Sequence, residues 1–94
     1  MAMGQVLRFA GGNMGQYDAV TKELGFDKPE GWPSAVIAHS AGAVDDGFVV
    51  IEWWESEDDW NDFFVNRLQP AFEKVGGIPQ PEVTHFEVHK SYIR

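Results

Sequence analysis

Three side chains of this sequence have the types needed for proton chemistry: His39, Glu52 and His85. An imidazole beside a carboxylate is a workable general base, because the carboxylate fixes the tautomer and leaves the far ring nitrogen free to take a proton. Arg8 is the candidate to neutralise a phenolate, enolate or carboxylate, with a salt bridge to Glu52 as its alternative role. Trp54 offers a flat surface on which an aromatic ligand can stack, and a plug in a subunit contact is the competing use. Trp32, between Pro29 and Pro33, is placed to close one mouth of a cavity. His85, Glu87 and His89 are ligand types for a metal, yet positions i, i+2 and i+4 of a strand spread over about 13 Å. They cannot all grip one ion, and no metal site is expected. The acidic run Glu52, Glu55, Glu57, Asp58, Asp59 and Asp62 lacks the alternation and central glycine of a calcium loop. Gly11-Gly12-Asn13-Met14-Gly15 lacks the spacing and the lysine of a phosphate-binding loop.

The elements that must position these groups are legible in the periodicities. Gln5–Ala10 reads as a strand ended by glycines. Met14, Tyr17, Val20 and Leu24 recur at helical steps, with Asn13 as a cap and Gly25 as the stop; Tyr17 is read as a core residue. Ser34–Ser40 is a second strand, and Asp46-Gly47 is a hairpin signal before a third at Phe48–Glu55. Ser56 caps a second helix with an acidic first turn, and Trp60, Phe63, Phe64 and Leu68 mark its buried face. Pro70 kinks or restarts it before Gly76-Gly77, and a last strand runs from Val83 to about His89.

The order β-α-β-β-α-β predicts an α+β, ferredoxin-like fold over residues 1–94, a four-stranded antiparallel sheet with both helices on one face. Alternation assigns Leu7, Phe9, Val36, Ala38, Val49, Ile51, Trp53, Phe86 and Val88 to the helix side. Val6, Arg8, Ile37, His39, Phe48, Val50, Glu52, Trp54, Val83, His85, Glu87 and His89 then fall on the other. On that second face Ile37, Phe48, Val50 and Trp54 make an apolar patch that needs a cover. The expected cover is a second copy of the sheet, closing a two-fold symmetric barrel with Phe48, Ile37, Val50, Trp54 and His85 around a ligand.

Gln16-Tyr17-Asp18-Ala19-Val20, His39-Ser40-Ala41-Gly42, Trp54-Glu55-Ser56 and Asn66-Arg67-Leu68-Gln69-Pro70-Ala71 carry a likeness over nearly all of the chain. The chain resembles the dimeric α+β-barrel superfamily of small antibiotic-biosynthesis-monooxygenase-like proteins. The resemblance implies a homodimer and a pocket for a small hydrophobic or aromatic molecule. It also admits a cofactor-independent monooxygenase acting on an aromatic or polyketide-like compound, with a non-catalytic ligand-binding or structural homodimer as the alternative. Haem-degrading relatives carry a histidine iron ligand on a helix, whereas all three histidines here fall on predicted strands; no cofactor is expected.

Composition narrows the classes further. Ninety-four residues with 15 acidic against 7 basic side chains have a net charge of −8, which argues against a nucleic-acid surface. The absence of cysteine excludes disulfides and thiolate chemistry. No apolar run reaches the length of a membrane span and no leader pattern opens the sequence, so a cytoplasmic protein is the default expectation.

Overall fold

The computed structural model describes residues 2–94. Its elements are β1 (Met3–Ala10), α1 (Met14–Leu24), a 3₁₀ turn (Pro29–Gly31), β2 (Val36–Val44), β3 (Gly47–Trp54), α2 (Glu57–Phe63), a π-helical turn (Phe64–Leu68), α3 (Gln69–Val75) and β4 (Glu82–Glu87). The antiparallel sheet has the order β2-β3-β1-β4, the ferredoxin-like arrangement, and the helices cover one face. No helix among the described residues is long and apolar enough to cross a membrane.

Local chemistry explains where the helices begin and end. Asn13 Oδ1 accepts from Gln16 N while Gln16 Oε1 accepts from Asn13 N, a reciprocal cap at 2.9 Å each way. Gly25 closes α1 with φ +79°, a left-handed position that glycine adopts without a Cβ clash. Ser56 Oγ accepts from Asp59 N at 3.1 Å and opens α2. The break foreseen at Pro70 is a π-helical turn followed by a fresh helical segment with the proline in its first turn, where a missing N–H is harmless. The hairpin turn falls on Asp45 and Asp46, one residue earlier than the Asp46-Gly47 reading, and neither has a positive φ. Gly47 is needed for another reason: a Cβ there would run into the Phe9 carbonyl of the neighbouring strand.

The main departure from the sequence reading is the assignment of faces. Leu7 pairs with Val50, Phe9 with Phe48 and Gln5 with Glu52, so Phe48, Val50, Glu52 and Trp54 share the helix side with Leu7 and Phe9. Val49, Ile51 and Trp53 lie on the helix-free side, and Trp53 is not beneath the helices. β4 is inverted in the same way: His85 pairs with the inward Gln5, and Phe86 lies over Gly4 on the open face. In β2 a register shift between Val36 and Ala38 turns His39 inward opposite Glu52, with Ala38 outward opposite Trp53. Val36 keeps its place against the core and Ile37 remains exposed.

The core lies between sheet and helices: Leu7, Phe9, Val20, Leu24, Phe48, Val50, Trp54, Trp60, Phe63 and Leu68 are its main members. Phe9 stacks on Phe48 at 4.4 Å, and Trp54 meets Trp60 nearly edge to face at 5.7 Å. Within this apolar layer are two buried polar side chains, Gln5 and Glu52.

Candidate functional site

Burying a carboxylate is unfavourable unless its oxygens are hydrogen-bonded, and Glu52 meets that requirement completely. Its Oε1 accepts from Gln5 Nε2 at 2.7 Å and from Trp54 Nε1 at 3.1 Å. Its Oε2 lies 2.6 Å from His39 Nδ1. The strand pairings dictate this meeting, since Gln5 and His39 stand on either side of Glu52 in register.

The far nitrogen of His39, Nε2, is 2.7 Å from the hydroxyl of Tyr17 on α1. Burial first, then the charge on Glu52 and that on Asp18, hold the Tyr17 phenol above the usual value of 10.0. The phenol therefore keeps its proton, and with the hydrogen of a neutral imidazole on Nδ1, facing Glu52, it donates to Nε2. The result is a line of three groups, Tyr17–His39–Glu52, in which the carboxylate fixes the imidazole tautomer and the imidazole accepts from a hydroxyl.

Tyr17 and His39 line a cavity of about 50 Å³ between α1, the helical segments of α2 and α3, and the sheet. Phe9, Phe26, Phe48, Trp60, Phe63 and Phe72 supply much of its apolar wall. A water needs about 10–15 Å³ of such volume and drug-sized ligands occupy about 300–1,000 Å³, so the cavity as it stands suits a few small molecules and a larger ligand requires it to open. Outside it, a cleft of about 320 Å³ is lined by Tyr17, Asp18, Thr21, Lys22, Phe26, Asp27 and Trp32.

The candidates chosen from sequence divide clearly. His39 and Glu52 come together. Phe48 and Val50 line the same cavity, which lies on the helix side of the sheet and not between two sheets. Trp32 stands over the group, its ring 4.8 Å from the imidazole and nearly edge-on, and it stacks on Phe26 at 4.0 Å. Trp54 is a core residue, buried to 1% exposure under Trp60, and acts on the site only through its N–H to Glu52. Ile37 is exposed at the bulge of β2, away from the cavity wall. Arg8 is on the opposite face, held by Asp46 at 2.7 Å, so it neither pairs with Glu52 nor reaches the cavity. His85 is at the sheet edge, with Gln5 Oε1 3.1 Å from Nε2 and Glu57 Oε1 2.9 Å from Nδ1. Among the described residues no group of three or more histidine and carboxylate side chains is arranged to hold a metal.

Tyr17 and Gln5 are the members that sequence reasoning missed. Tyr17 fitted the apolar stripe of α1, and the signal was its hydroxyl, which needs a partner once buried. Gln5 is a polar residue in phase with Leu7 and Phe9, and that phase marked it as an internal hydrogen-bonding group.

Comparison with known proteins bears on the fold. SnoaB of Streptomyces nogalater, a cofactor-independent oxygenase, superposes with a TM-score of 0.66 at 15% identity, over 96% of this chain and 95% of that one. A monooxygenase from the gene ActVA-Orf6 of Streptomyces coelicolor, solved with nanaomycin D, gives 0.60 at 18% identity, over 99% and 91%. A candidate antibiotic biosynthesis monooxygenase from Chloroflexus aurantiacus gives 0.68 at 13% identity, over 98% and 97%. No family model and no curated protein sequence matches the chain. The chain has the fold of the antibiotic-biosynthesis-monooxygenase-like proteins.

Proposed function

We propose that this protein is a cofactor-independent oxygenase for a small aromatic or polyketide-like compound bound beside Tyr17. The observation that carries the reading is the Tyr17–His39–Glu52 line on the wall of an otherwise apolar cavity. Its first task is proton abstraction from an acidified C–H or O–H of the substrate. The substrate proton passes to the Tyr17 oxygen as the Tyr17 proton passes to His39 Nε2, and Glu52 stabilises the imidazolium that forms. For an anthrone-type methylene, the carbanion combines with O₂ to give a peroxide. His39 returns the proton, and the hydroperoxide expels water to leave a carbonyl. One oxygen atom stays in the product and the other leaves as water. The oxygenases SnoaB and ActVA-Orf6, which share the fold, support this class of reaction.

The test is anthrone under oxygen, with product and oxygen uptake measured for the wild type, His39→Ala and Tyr17→Phe. Turnover above the solution background that falls about 10²-fold or more in His39→Ala is expected. Wild-type turnover no faster than buffer, with anthrone bound, would sink the enzyme reading. It would favour a non-catalytic binding or structural homodimer, to which the small closed volume of the cavity also lends weight.

The same proposal includes a homodimer through the helix-free sheet face. Val6, Val49, Ile51, Trp53 and Phe86 form its apolar strip, with Ile51 46% and Phe86 44% exposed. Sedimentation equilibrium of Ile51→Asp against the wild type tests it. A wild type that is monomeric at micromolar concentration would refute the pairing.

A further inference from the structure

Residues 25–33 bring Phe26 into the cavity wall and set Trp32 against His39. Gly25 N and Phe26 N are bonded to the end of α1, and from there on the backbone bonds run within the segment: Lys28 N to Gly25 O at 3.2 Å, Gly31 N to Lys28 O at 3.0 Å, and Trp32 N to Pro29 O at 3.3 Å. Trp32 Nε1 donates to Phe26 O at 2.9 Å, which sets the two rings face to face. A Cβ at Gly31 would collide with the Gly25 carbonyl, so the two ends of the segment touch. Such a segment moves as a unit, and what joins it to the rest decides whether the cavity opens.

That join is Arg67. From the π-helical turn, its Nη2 donates to Leu24 O at 2.9 Å and to Gly31 O at 3.0 Å. Leu24 O is one of the orphaned carbonyls at the end of α1, where a cation is favoured. The guanidinium carbon also lies 5.4 Å from the Phe63 ring centre and 5.9 Å from that of Phe26. Among the described residues, no other side chain beyond the segment donates a hydrogen bond to it from a later helix.

We infer that Arg67 is a positioning residue that latches the 25–33 segment, and that opening of this latch admits a flat aromatic ligand to the Tyr17–His39 group. Tyr17, Thr21 and Phe26 line both the inner cavity and the outer cleft, so the stacked Phe26–Trp32 rings form the partition. Moving the rings aside merges a space too small for an aromatic ligand with one large enough for it. This access role rests on the cavity being the ligand site, whereas the latch itself does not.

Native-state hydrogen exchange of the Trp32 indole N–H and of the Gly31 and Trp32 amides, against Leu7 and Val50 in the sheet, is the test. In the wild type the segment exchanges through local opening, faster than the sheet. Arg67→Met raises segment exchange by about tenfold or more with the sheet unchanged, since the charged donor that ties Gly31 O to Leu24 O at the end of α1 is lost. Arg67→Lys, still a cation with donors for both carbonyls, restores part of the protection. Stopped-flow binding of 2-naphthol, followed by tryptophan fluorescence, shows faster association with Arg67→Met. Segment exchange that is unchanged in Arg67→Met, or that rises together with the sheet, overturns the latch. Should Arg67→Met fail to fold, wild-type segment exchange that occurs only by global unfolding overturns it equally. Unchanged 2-naphthol association in an opened segment overturns the access role. Absence of 2-naphthol binding altogether, with the exchange difference present, would instead refute the cavity as the ligand site.

Discussion

Replacing Glu52 by glutamine keeps the shape of the side chain and reverses half of its hydrogen-bonding sense, which makes it a sharp probe of the embedded group. Three N–H donors converge on the Glu52 oxygens: Gln5 Nε2, Trp54 Nε1 and His39 Nδ1. A glutamine can offer its one oxygen to Gln5 and Trp54, but its NH₂ then points at His39 Nδ1–H. The contact is repaired only if the imidazole changes tautomer, placing its hydrogen on Nε2 against the Tyr17 hydroxyl. Three charge-assisted bonds become neutral ones, a loss of about 1 kcal/mol each, offset in part by no longer burying a charge. The expected destabilisation is about 1–2 kcal/mol, or a Tm lowered by roughly 5–15 °C for a domain of this size. Glu52→Leu orphans all three donors and is expected to cost about 3 kcal/mol or more. Urea unfolding measures both, and long-range ¹H–¹⁵N correlation of the His39 ring reports the tautomer. If the anthrone reaction is present, Glu52→Gln lowers it by about 10²-fold or more, because the accepting nitrogen is now blocked. An equally stable Glu52→Gln with its His39 hydrogen still on Nδ1 would refute the account of Glu52 as the group that orients this imidazole.

The Tyr17 phenol is held above the value it has in the unfolded chain, by burial and then by Glu52 and Asp18. Stability is therefore intact below about pH 10 and declines as pH rises from there through the folded value, because the unfolded chain releases the proton first. Difference titration at 295 nm between wild type and Tyr17→Phe isolates this phenol, and a transition at or below pH 10 would contradict it. Gly31→Ala places a Cβ against Gly25 O and is expected to loosen residues 25–33, seen as loss of the Trp32 indole protection without loss of the sheet amides. Arg8→Ala removes an exposed pair with Asp46 and is expected to cost under about 1 kcal/mol in urea unfolding while leaving the Tyr17 titration unmoved. A larger loss, or a shifted titration, would mean that Arg8 reaches the site after all.

Much of the framework was legible because it depends on neighbours in sequence. Asn13, Gly25, Ser56 and Pro70 act within a turn or two of themselves, and each marks the boundary that its chemistry requires. The β-α-β-β-α-β order followed from the same local signals, whereas the convergence of His39 and Glu52 was an expectation from residue type and alternation that the strand register brought about. The assignment of faces was not legible. β3 is apolar on both sides, so a period of two separates Phe48, Val50, Glu52 and Trp54 from Val49, Ile51 and Trp53 without saying which set meets the helices. Glu52 in the first set made it look like the less buried one. In the folded chain that carboxylate is internal because Gln5, Trp54 and His39 supply its donors from positions 47, 2 and 13 residues away.

Sequence by itself thus determined the elements, their caps and the residue types available for proton chemistry, all of which rest on interactions of short range. Only the tertiary structure decided that the group faces the helices, that Tyr17 completes it and that Arg8 is excluded from it. The register of three strands and one extra residue in β2 set those relations. A shift of a single residue moves a side chain to the other face of a sheet, and only the long-range strand pairing selects the phase.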